Sequence, residues 1–118
     1  MMKPFLLALA ASALVAGQAS AHARLLQSQP RAGATVVSPA QLRLSFSESI
    51  VPAKSSVVLS GPAAKPVALG PLTLDAKDKR LVVVAVPQKL APGAYKVRWG
   101  MTTTDTHHTE GDFAFTVK

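Results

Sequence analysis

Two stretches near the carboxyl end decide the fold: AYKVRWGM at residues 94–101 and GDFAFTV at residues 111–117. In the first stretch Tyr95, Val97 and Trp99 alternate with other residues, and side chains two apart in a strand lie on the same face. The second stretch alternates aromatic and aliphatic residues with small or polar ones in the same way. Both stretches therefore predict strands with one buried face, and we interpret Tyr95 and Trp99 as core aromatics.

Shorter strand signals lie upstream, separated by glycine and proline. The predicted strands are Ala23–Gln27, Gln41–Phe46, Ser56–Leu59, Val67–Leu69 and Leu81–Val86. Together with the two stretches above, they make about seven strands. Nine prolines and seven glycines suit turns better than helices. The pattern predicts one all-β domain, a small Greek-key β-sandwich or barrel.

Residues 1–21 have the features of a secretory signal peptide. A positive charge precedes a run of apolar residues at 5–16, which is shorter than the roughly 20 residues that a membrane-spanning helix needs. Ala19-Ser20-Ala21 then forms an A-x-A cleavage motif. We expect cleavage after Ala21, so that residues 22–118 form a secreted domain whose first residue is His22.

The composition excludes several kinds of chemistry. The chain has no cysteine, so disulfides, zinc fingers, thiolate copper sites and cysteine nucleophiles are excluded. The net charge is +7, but the basic residues are scattered, and the cluster at residues 77–80 contains an acid and no aromatic residue. Because nucleic-acid platforms combine basic and aromatic side chains, we expect no nucleic-acid partner. Attraction to anionic membrane headgroups stays open.

Potential metal ligands concentrate at residues 102–110, TTTDTHHTE, a segment without strand signal between the two patterned stretches. The segment contains Asp105, His107 and His108, and the third histidine of the chain is His22. An Asp-x-His pair in a polar loop is more often only solvated, and a histidine at the first position is by itself a weak indication. Their occurrence together in one small domain points to a shared metal ion.

A histidine at a free amino terminus can chelate a metal through its α-amine and its Nδ1, since the amine loses its proton near about pH 8. The imidazole of His107 and the carboxylate of Asp105 would complete a set of three nitrogens and one oxygen. This set suits square-planar or tetragonal Cu(II) better than zinc or Cu(I). If the loop is locally extended, Asp105 and His107 lie on one side and His108 points away.

Glu48 is a further candidate ligand. It follows the strand Gln41–Phe46, and continued alternation places it on the core face, where a carboxylate needs a partner or a metal. If the strand ends earlier, Glu48 faces water instead, and the sequence leaves both possibilities open. We interpret Glu110 and Asp112 as surface charges.

These residues together resemble the CopC family of periplasmic copper-resistance proteins, over the whole predicted mature chain. The shared motifs are His22-Ala23-x-Leu25, Ser28-x-Pro30-x-x-Gly33, Leu42-x-Leu44-x-Phe46-Ser47-Glu48, Gly93-x-Tyr95-x-Val97-x-Trp99 and Asp105-x-His107-x-x-x-Gly111-x-Phe113-x-Phe115-x-Val117. The resemblance implies a cupredoxin-like or immunoglobulin-like sandwich that binds Cu(II) through His22, Asp105 and His107. Glu48 matches a family glutamate near the site, as a weak ligand or a neighbouring group.

The resemblance also implies a partner, an inner-membrane CopD-type copper protein, and we expect a monomer. The chain lacks the methionine-rich Cu(I) loop of some family members, and it has Thr106 and His108 where the family often has glycine and proline. Our hypothesis is a copper carrier or buffer in copper homeostasis or resistance, not an enzyme. Two alternatives are a copper-dependent oxidase or monooxygenase-like enzyme with a histidine brace, and a metal-free immunoglobulin-like binding module.

Overall fold

The computed structural model describes residues 22–118. The expected signal peptide, residues 1–21, lies outside the described residues together with its cleavage motif. The strands of the described part are β1 (Leu25–Gln29), β2 (Thr35–Val36), β3 (Gln41–Phe46), β4 (Ser56–Ser60), β5 (Pro66–Val67), β6 (Leu72–Asp75), β7 (Asp78–Ala85), β8 (Gly93–Thr102) and β9 (His108–Val117). Two short 3-10 turns lie at Pro52–Lys54 and Pro62–Ala64. Between residues 22 and 118, no helical segment has the length and apolar character to cross a bilayer.

The strands form two sheets. The four-stranded sheet has the order β1-β3-β7-β6, and the five-stranded sheet has the order β2-β9-β8-β4-β5. β8 and β9 pair antiparallel in unbroken register, from Gly93 opposite Val117 to Thr102 opposite His108. This long ladder ends at the loop 103–107, so Asp105 and His107 are carried on the most extensively paired hairpin of the described residues.

The hydrophobic core lies between the inner faces of the two sheets. Alternate residues of β3, β7, β8 and β9 point inward, as the period-2 pattern requires. Phe46 and Trp99 meet edge to face across the core with ring centroids 5.1 Å apart, and Tyr95 stacks on Phe115 at 5.7 Å. Such aromatic pairs add about 0.5–1.5 kcal/mol beyond their burial. The interpretation of Tyr95 and Trp99 as core aromatics is confirmed, since both are buried.

The prediction of an all-β sandwich is confirmed, whereas the predicted number of about seven strands is lower than the nine strands of the described part. Gln41–Phe46 has the predicted bounds. Two short strands are additional, Thr35–Val36 and Leu72–Asp75. The first consists of only two residues and pairs in parallel with the end of β9, so its existence depends on a distant partner that local alternation does not reveal.

The prediction of a loop at residues 102–110 is wrong at both ends of the segment. Thr102 belongs to β8, and His108 to Glu110 belong to β9, so the loop is residues 103–107. The four added positions are polar and lack a hydrophobic pattern, but their backbone groups continue the hydrogen-bonded ladder of the hairpin. Register across β8 and β9 therefore overrides local composition.

Candidate metal centre

The first described residues are fixed to the end of β3. The backbone N–H of Arg24 donates to the Ser47 hydroxyl at 2.9 Å, and the N–H of Ser47 donates to the Arg24 carbonyl at 2.9 Å. Ala23 is fully buried and belongs to the hydrophobic core. His22 therefore starts from a fixed point at one end of the sandwich, and its own side chain is exposed.

The loop 103–107 is organised by the buried residue Thr103. Its N–H donates to the His107 carbonyl at 2.9 Å, and the Thr106 N–H donates back to the Thr103 carbonyl at 2.9 Å. The Thr103 hydroxyl accepts a hydrogen bond from the His107 N–H at 3.2 Å and donates one to Oδ1 of Asp105. Neighbouring backbone holds the loop in place, since Thr104 N–H donates to the Ser49 carbonyl.

Two pairwise contacts link three of the four candidate ligands at this end of the molecule. The imidazole rings of His22 and His107 meet edge to face, with centroids 4.9 Å apart. Nδ1 of His107 lies 3.3 Å from Oδ1 of Asp105. His107 is thus the middle member, in contact with a histidine from the amino-terminal segment on one side and a carboxylate from its own loop on the other.

Asp105 and His107 converge through a turn, so the expectation of a locally extended loop is wrong. Thr106 between them has φ +74°, in the left-handed region that a β-branched residue rarely adopts. This turn folds the chain back so that residues i and i+2 approach each other. The left-handed conformation also gives a physical reason why glycine suits this position, although the chain has threonine there.

Asp105 is held in its ionised form. The hydrogen bond from the Thr103 hydroxyl is the main cause that lowers the pKa of this carboxyl, and His107 adds to the lowering. The side chain is more than half exposed, so solvent screens the effect. At neutral pH the loop therefore presents a carboxylate beside an imidazole, two donors that cations such as Cu(II) accept.

Glu48 lies outside this contact set. β3 ends at Phe46, so the continued alternation that would place Glu48 on the core face is wrong, and the residue is half-buried in a bend. Its carboxylate forms no ion pair within residues 22–118. Over the same residues, no group of three or more histidine, cysteine, aspartate or glutamate side chains stands close enough to hold a metal ion.

His108 points away from the other histidines. Its Nδ1 lies 2.8 Å from the Thr102 hydroxyl and its Nε2 lies 3.2 Å from Oε2 of Glu110, both on the outer face of the five-stranded sheet. The expected divergence of His107 and His108 is therefore present. Its cause is that His107 ends the turn and His108 begins β9. The interpretation of Glu110 and Asp112 as surface charges agrees with their exposure.

Thr103 is the residue of this site that sequence reasoning did not identify. It sits in a run of three threonines that the sequence does not distinguish, and the one that bridges to Ile50 is the one that is buried. A threonine two residues before an aspartate can form a local hydrogen-bonded turn, which was the available signal.

Known proteins resemble the chain over nearly all of the described part. Residues 25–118 match the family model of the CopC domain. Copper resistance protein C of Xanthomonas campestris pv. juglandis is 32% identical over 113 residues, covering 92% of this chain and 89% of that protein. The structure of PcoC, a methionine-rich copper resistance protein from Escherichia coli, matches with a TM-score of 0.75 and 33% identity over 83% of this chain and 100% of that chain.

CopC from Methylosinus trichosporium OB3b has a similar structure, with a TM-score of 0.76 and 30% identity over 82% of this chain and 94% of that chain. The family match begins at Leu25. It therefore includes Glu48, Asp105 and His107 and leaves His22 outside.

Proposed function

This chain belongs to the CopC family, and on that premise we propose that it binds Cu(II) in the periplasm as a carrier or buffer in copper homeostasis or resistance. The copper part of the proposal is supported by relatives that are named copper resistance proteins. The role is binding and release of the ion and not catalysis. The observation that carries the proposal is the contact of His107 with both His22 and Asp105.

The donor types support Cu(II) over other ions. Imidazole nitrogen and carboxylate oxygen suit Cu(II), which also heads the affinity order of the divalent first-row metals. Cu(I) prefers thiolate and thioether ligands, but the described residues contain no cysteine and Met101 is fully buried in the core. A soft site for Cu(I) therefore has no support among residues 22–118.

The proposed centre needs one ligand that is not a side chain. Beside the imidazoles of His22 and His107 and the carboxylate of Asp105, the fourth donor that we propose is the α-amine of His22, because the amine and the imidazole of one residue can chelate the same ion. In the uncleaved chain this nitrogen is an amide joined to Ala21 and binds metals poorly. Cleavage after Ala21 would convert it into an amine that chelates together with the His22 imidazole. Processing would thus complete the site.

Glu48 is proposed as a weak ligand or a neighbouring acid. It follows Ser47, whose hydroxyl binds the Arg24 N–H two residues after His22, so its backbone belongs to the segment that holds the amino-terminal residues. Its negative charge would favour a cation at this end of the sandwich. A CopD-type membrane partner and a monomeric state stay predictions.

The decisive experiment compares two chains that differ only at the amino terminus. One begins at His22, and the other carries a single glycine ahead of His22. We expect the added glycine to weaken Cu(II) binding more than tenfold, which corresponds to more than about 1.4 kcal/mol, in a competition titration with a chelator. Equal affinity of the two chains would contradict the α-amine as a ligand.

Substitutions in the loop test the other donors. His107→Ala and Asp105→Asn are each expected to lower the affinity and to change the electron paramagnetic resonance spectrum of bound Cu(II). Asp112→Asn, an exposed acid on β9 away from the loop, is the matched control and should leave both unchanged. If the loop variants behave like Asp112→Asn, the Asp-x-His pair does not hold the ion.

A further inference from the structure

The end of the sandwich opposite the candidate metal centre is formed by three loops, which we call the far end: residues 37–40, 61–65 and 86–92. The first and third loops are joined by a hydrogen bond from the Leu90 N–H to the Ser38 hydroxyl at 2.8 Å. The second packs on the start of β8, since a Cβ at Gly93 would lie 2.6 Å from the Pro62 ring. From there β8 runs ten residues, or about 30 Å, to the loop that carries Asp105 and His107.

The far end carries basic side chains and no acidic one. Lys65 and Lys89 are exposed and line one cleft of about 330 Å³. Neither lysine forms an ion pair with any residue between 22 and 118. Lys96, three residues after Gly93, is exposed on the outer face of the adjoining strand. The positive charge at this end is therefore uncompensated by side chains of the described part.

The acidic residues lie elsewhere in the sandwich. At the opposite end, near the β6–β7 turn and the loop 103–107, acids and bases are equal in number. The acids there are Glu48, Asp75, Asp78, Asp105 and Glu110, and the bases are Arg24, Lys54, Lys77, Lys79 and Arg80. The remaining acid, Asp112, is opposite Arg98 along the five-stranded sheet. The excess of positive charge is thus segregated away from the end with the candidate metal centre.

Small apolar residues are exposed on the same loops as the lysines. Val37 is 68% exposed, which is unusual for a large hydrophobic residue of this domain. Most other exposed residues of these loops are alanine or proline: Ala40, Pro62, Ala63, Ala64, Pro87, Ala91 and Pro92. Val67, Leu90 and Tyr95 add apolar walls to the cleft between Lys65 and Lys89. An exposed apolar surface beside unpaired charge marks an interaction site.

We propose that the far end docks onto an anionic phospholipid bilayer. Such a bilayer presents phosphates and, just beneath them, hydrocarbon, which match the lysines and the apolar residues together. An acidic protein surface would match Lys65 and Lys89 but would place polar groups against Val37. Lysine suits a bilayer because its aliphatic stem lies along apolar surface while the ammonium group stays among the headgroups.

Docking in this way is weak and reversible. Each lysine near an anionic surface raises partitioning about fivefold, and the attraction extends over a screening length of only about 10 Å at 0.1 M salt. The loop with Asp105 and His107 lies about 30 Å from the far end, beyond that range, and faces solvent when the chain is docked. This orientation of the copper centre depends on the proposed function, whereas the docking itself does not.

The test is co-sedimentation of the chain that begins at His22 with vesicles of phosphatidylcholine, either alone or mixed in equal parts with phosphatidylglycerol. We expect binding only to the vesicles with phosphatidylglycerol, and its loss when salt rises from about 0.05 M to about 0.5 M. Lys65→Gln and Lys89→Gln should each weaken partitioning about fivefold, and the double variant about 25-fold. Val37→Ser should also weaken it, without any change of charge.

The matched control is the double variant Lys77→Gln, Lys79→Gln, which removes the same charge from the opposite end. We expect it to keep partitioning within about twofold of wild type, because these lysines lie beyond the screening length from the docked loops. An equal loss in both double variants would mean that net charge alone attracts the chain, and would overturn the proposal. Absence of binding to anionic vesicles would also overturn it. If polyglutamate binds instead and depends on Lys65 and Lys89, the far end receives an acidic protein segment.

A Cu(II) titration with and without the anionic vesicles, at free Cu(II) buffered by a chelator, separates docking from the proposed function. Equal affinity in both conditions is expected, since the copper centre faces away from the lipid. A chain that binds vesicles through Lys65 and Lys89 but binds no Cu(II) would contradict the proposed function and leave the docking supported. A lower Cu(II) affinity of the vesicle-bound chain would show that the opposite end contacts the bilayer, which overturns docking by the far end.

Discussion

The hydroxyl of Thr103 donates a hydrogen bond to the carboxylate of Asp105, although Thr103 is buried and Asp105 is exposed. The same hydroxyl accepts a hydrogen bond from the His107 N–H. One core residue thus orients both loop residues that we propose as ligands. An exposed loop gains positional order in this way from a contact with the packed interior, and the ligands do not have to be ordered by the metal alone.

Thr103→Val should remove the hydrogen bond to the Asp105 carboxylate while the loop stays folded. Valine retains the branched shape in the core but removes the donor, so we expect the pKa of the Asp105 carboxyl to rise toward its usual range. Thr103→Ser keeps the hydroxyl and should keep the pKa lowered. Carboxyl carbon resonances followed by NMR through an acid titration give this value directly. Identical titrations for the valine and serine variants would show that another contact lowers the pKa.

The lowered pKa of Asp105 also gives stability a pH dependence with a definite sign. The folded state holds this pKa below the unfolded value of about 3.9, so the contribution is present above that value and is lost as pH falls through the folded pKa. We expect the stability difference between wild type and Asp105→Asn to shrink as pH falls from about 6 to about 2. A difference that stays constant over this range in urea titrations would contradict the linkage.

Thr106→Gly should stabilise the domain. Threonine at φ +74° carries a steric cost of about 1–2 kcal/mol that glycine avoids. The greater freedom of glycine in the unfolded chain lowers the stability of the variant by about 0.4–1 kcal/mol. The expected net gain in the free energy of unfolding is roughly 0.5–1 kcal/mol. Thr104→Gly, in the same loop but without positive φ, is the control and should destabilise. If both variants are destabilised, the left-handed turn carries no strain.

Much of the sandwich could be predicted because its central strands are locally consistent. Leu42, Leu44 and Phe46 alternate with polar residues and are buried as expected. β6, LTLD at Leu72–Asp75, also alternates, but it is short and enclosed by turn residues, so its signal is weak. Strands whose patterns are complete within their own sequence are predictable, whereas strands that depend on a partner are not.

The candidate site was predictable in its residue types but not in its geometry. Asp105 and His107 could be selected because their spacing and chemistry suit a metal. Their approach depends on the turn at Thr106 and on the inward orientation of Thr103, which accompany the pairing of β8 with β9 and the isolated bridge between Thr103 and Ile50. The extended conformation that we expected for the loop ignored these tertiary constraints.

Gly111→Ala should destabilise the end of the sandwich next to the site. A Cβ at Gly111 would lie 2.8 Å from Cε2 of the buried Trp99 ring, which also packs on Phe46 and has little room to move. Overpacking of this kind costs about 1–3 kcal/mol. Gly100→Ala is the control, because its Cβ would meet the exposed end of His108 at 3.3 Å and the Ser56 hydroxyl oxygen at 3.5 Å, and no buried ring. Chemical denaturation followed by Trp99 fluorescence measures both, and equal losses would contradict the expected clash.

Cu(II) should raise the melting temperature of the chain that begins at His22, because a ligand that binds only the folded state stabilises it. At a free concentration of 100 times the Kd, the gain is about 2.7 kcal/mol, or roughly 10–20 °C for a domain of this size. A glycine ahead of His22 that weakens binding tenfold should reduce the gain to about 1.4 kcal/mol at the same concentration. A chelator should reverse both shifts. If neither chain shifts, the domain does not bind Cu(II) in its folded state; if both shift equally, the bound ion does not use the terminal nitrogen.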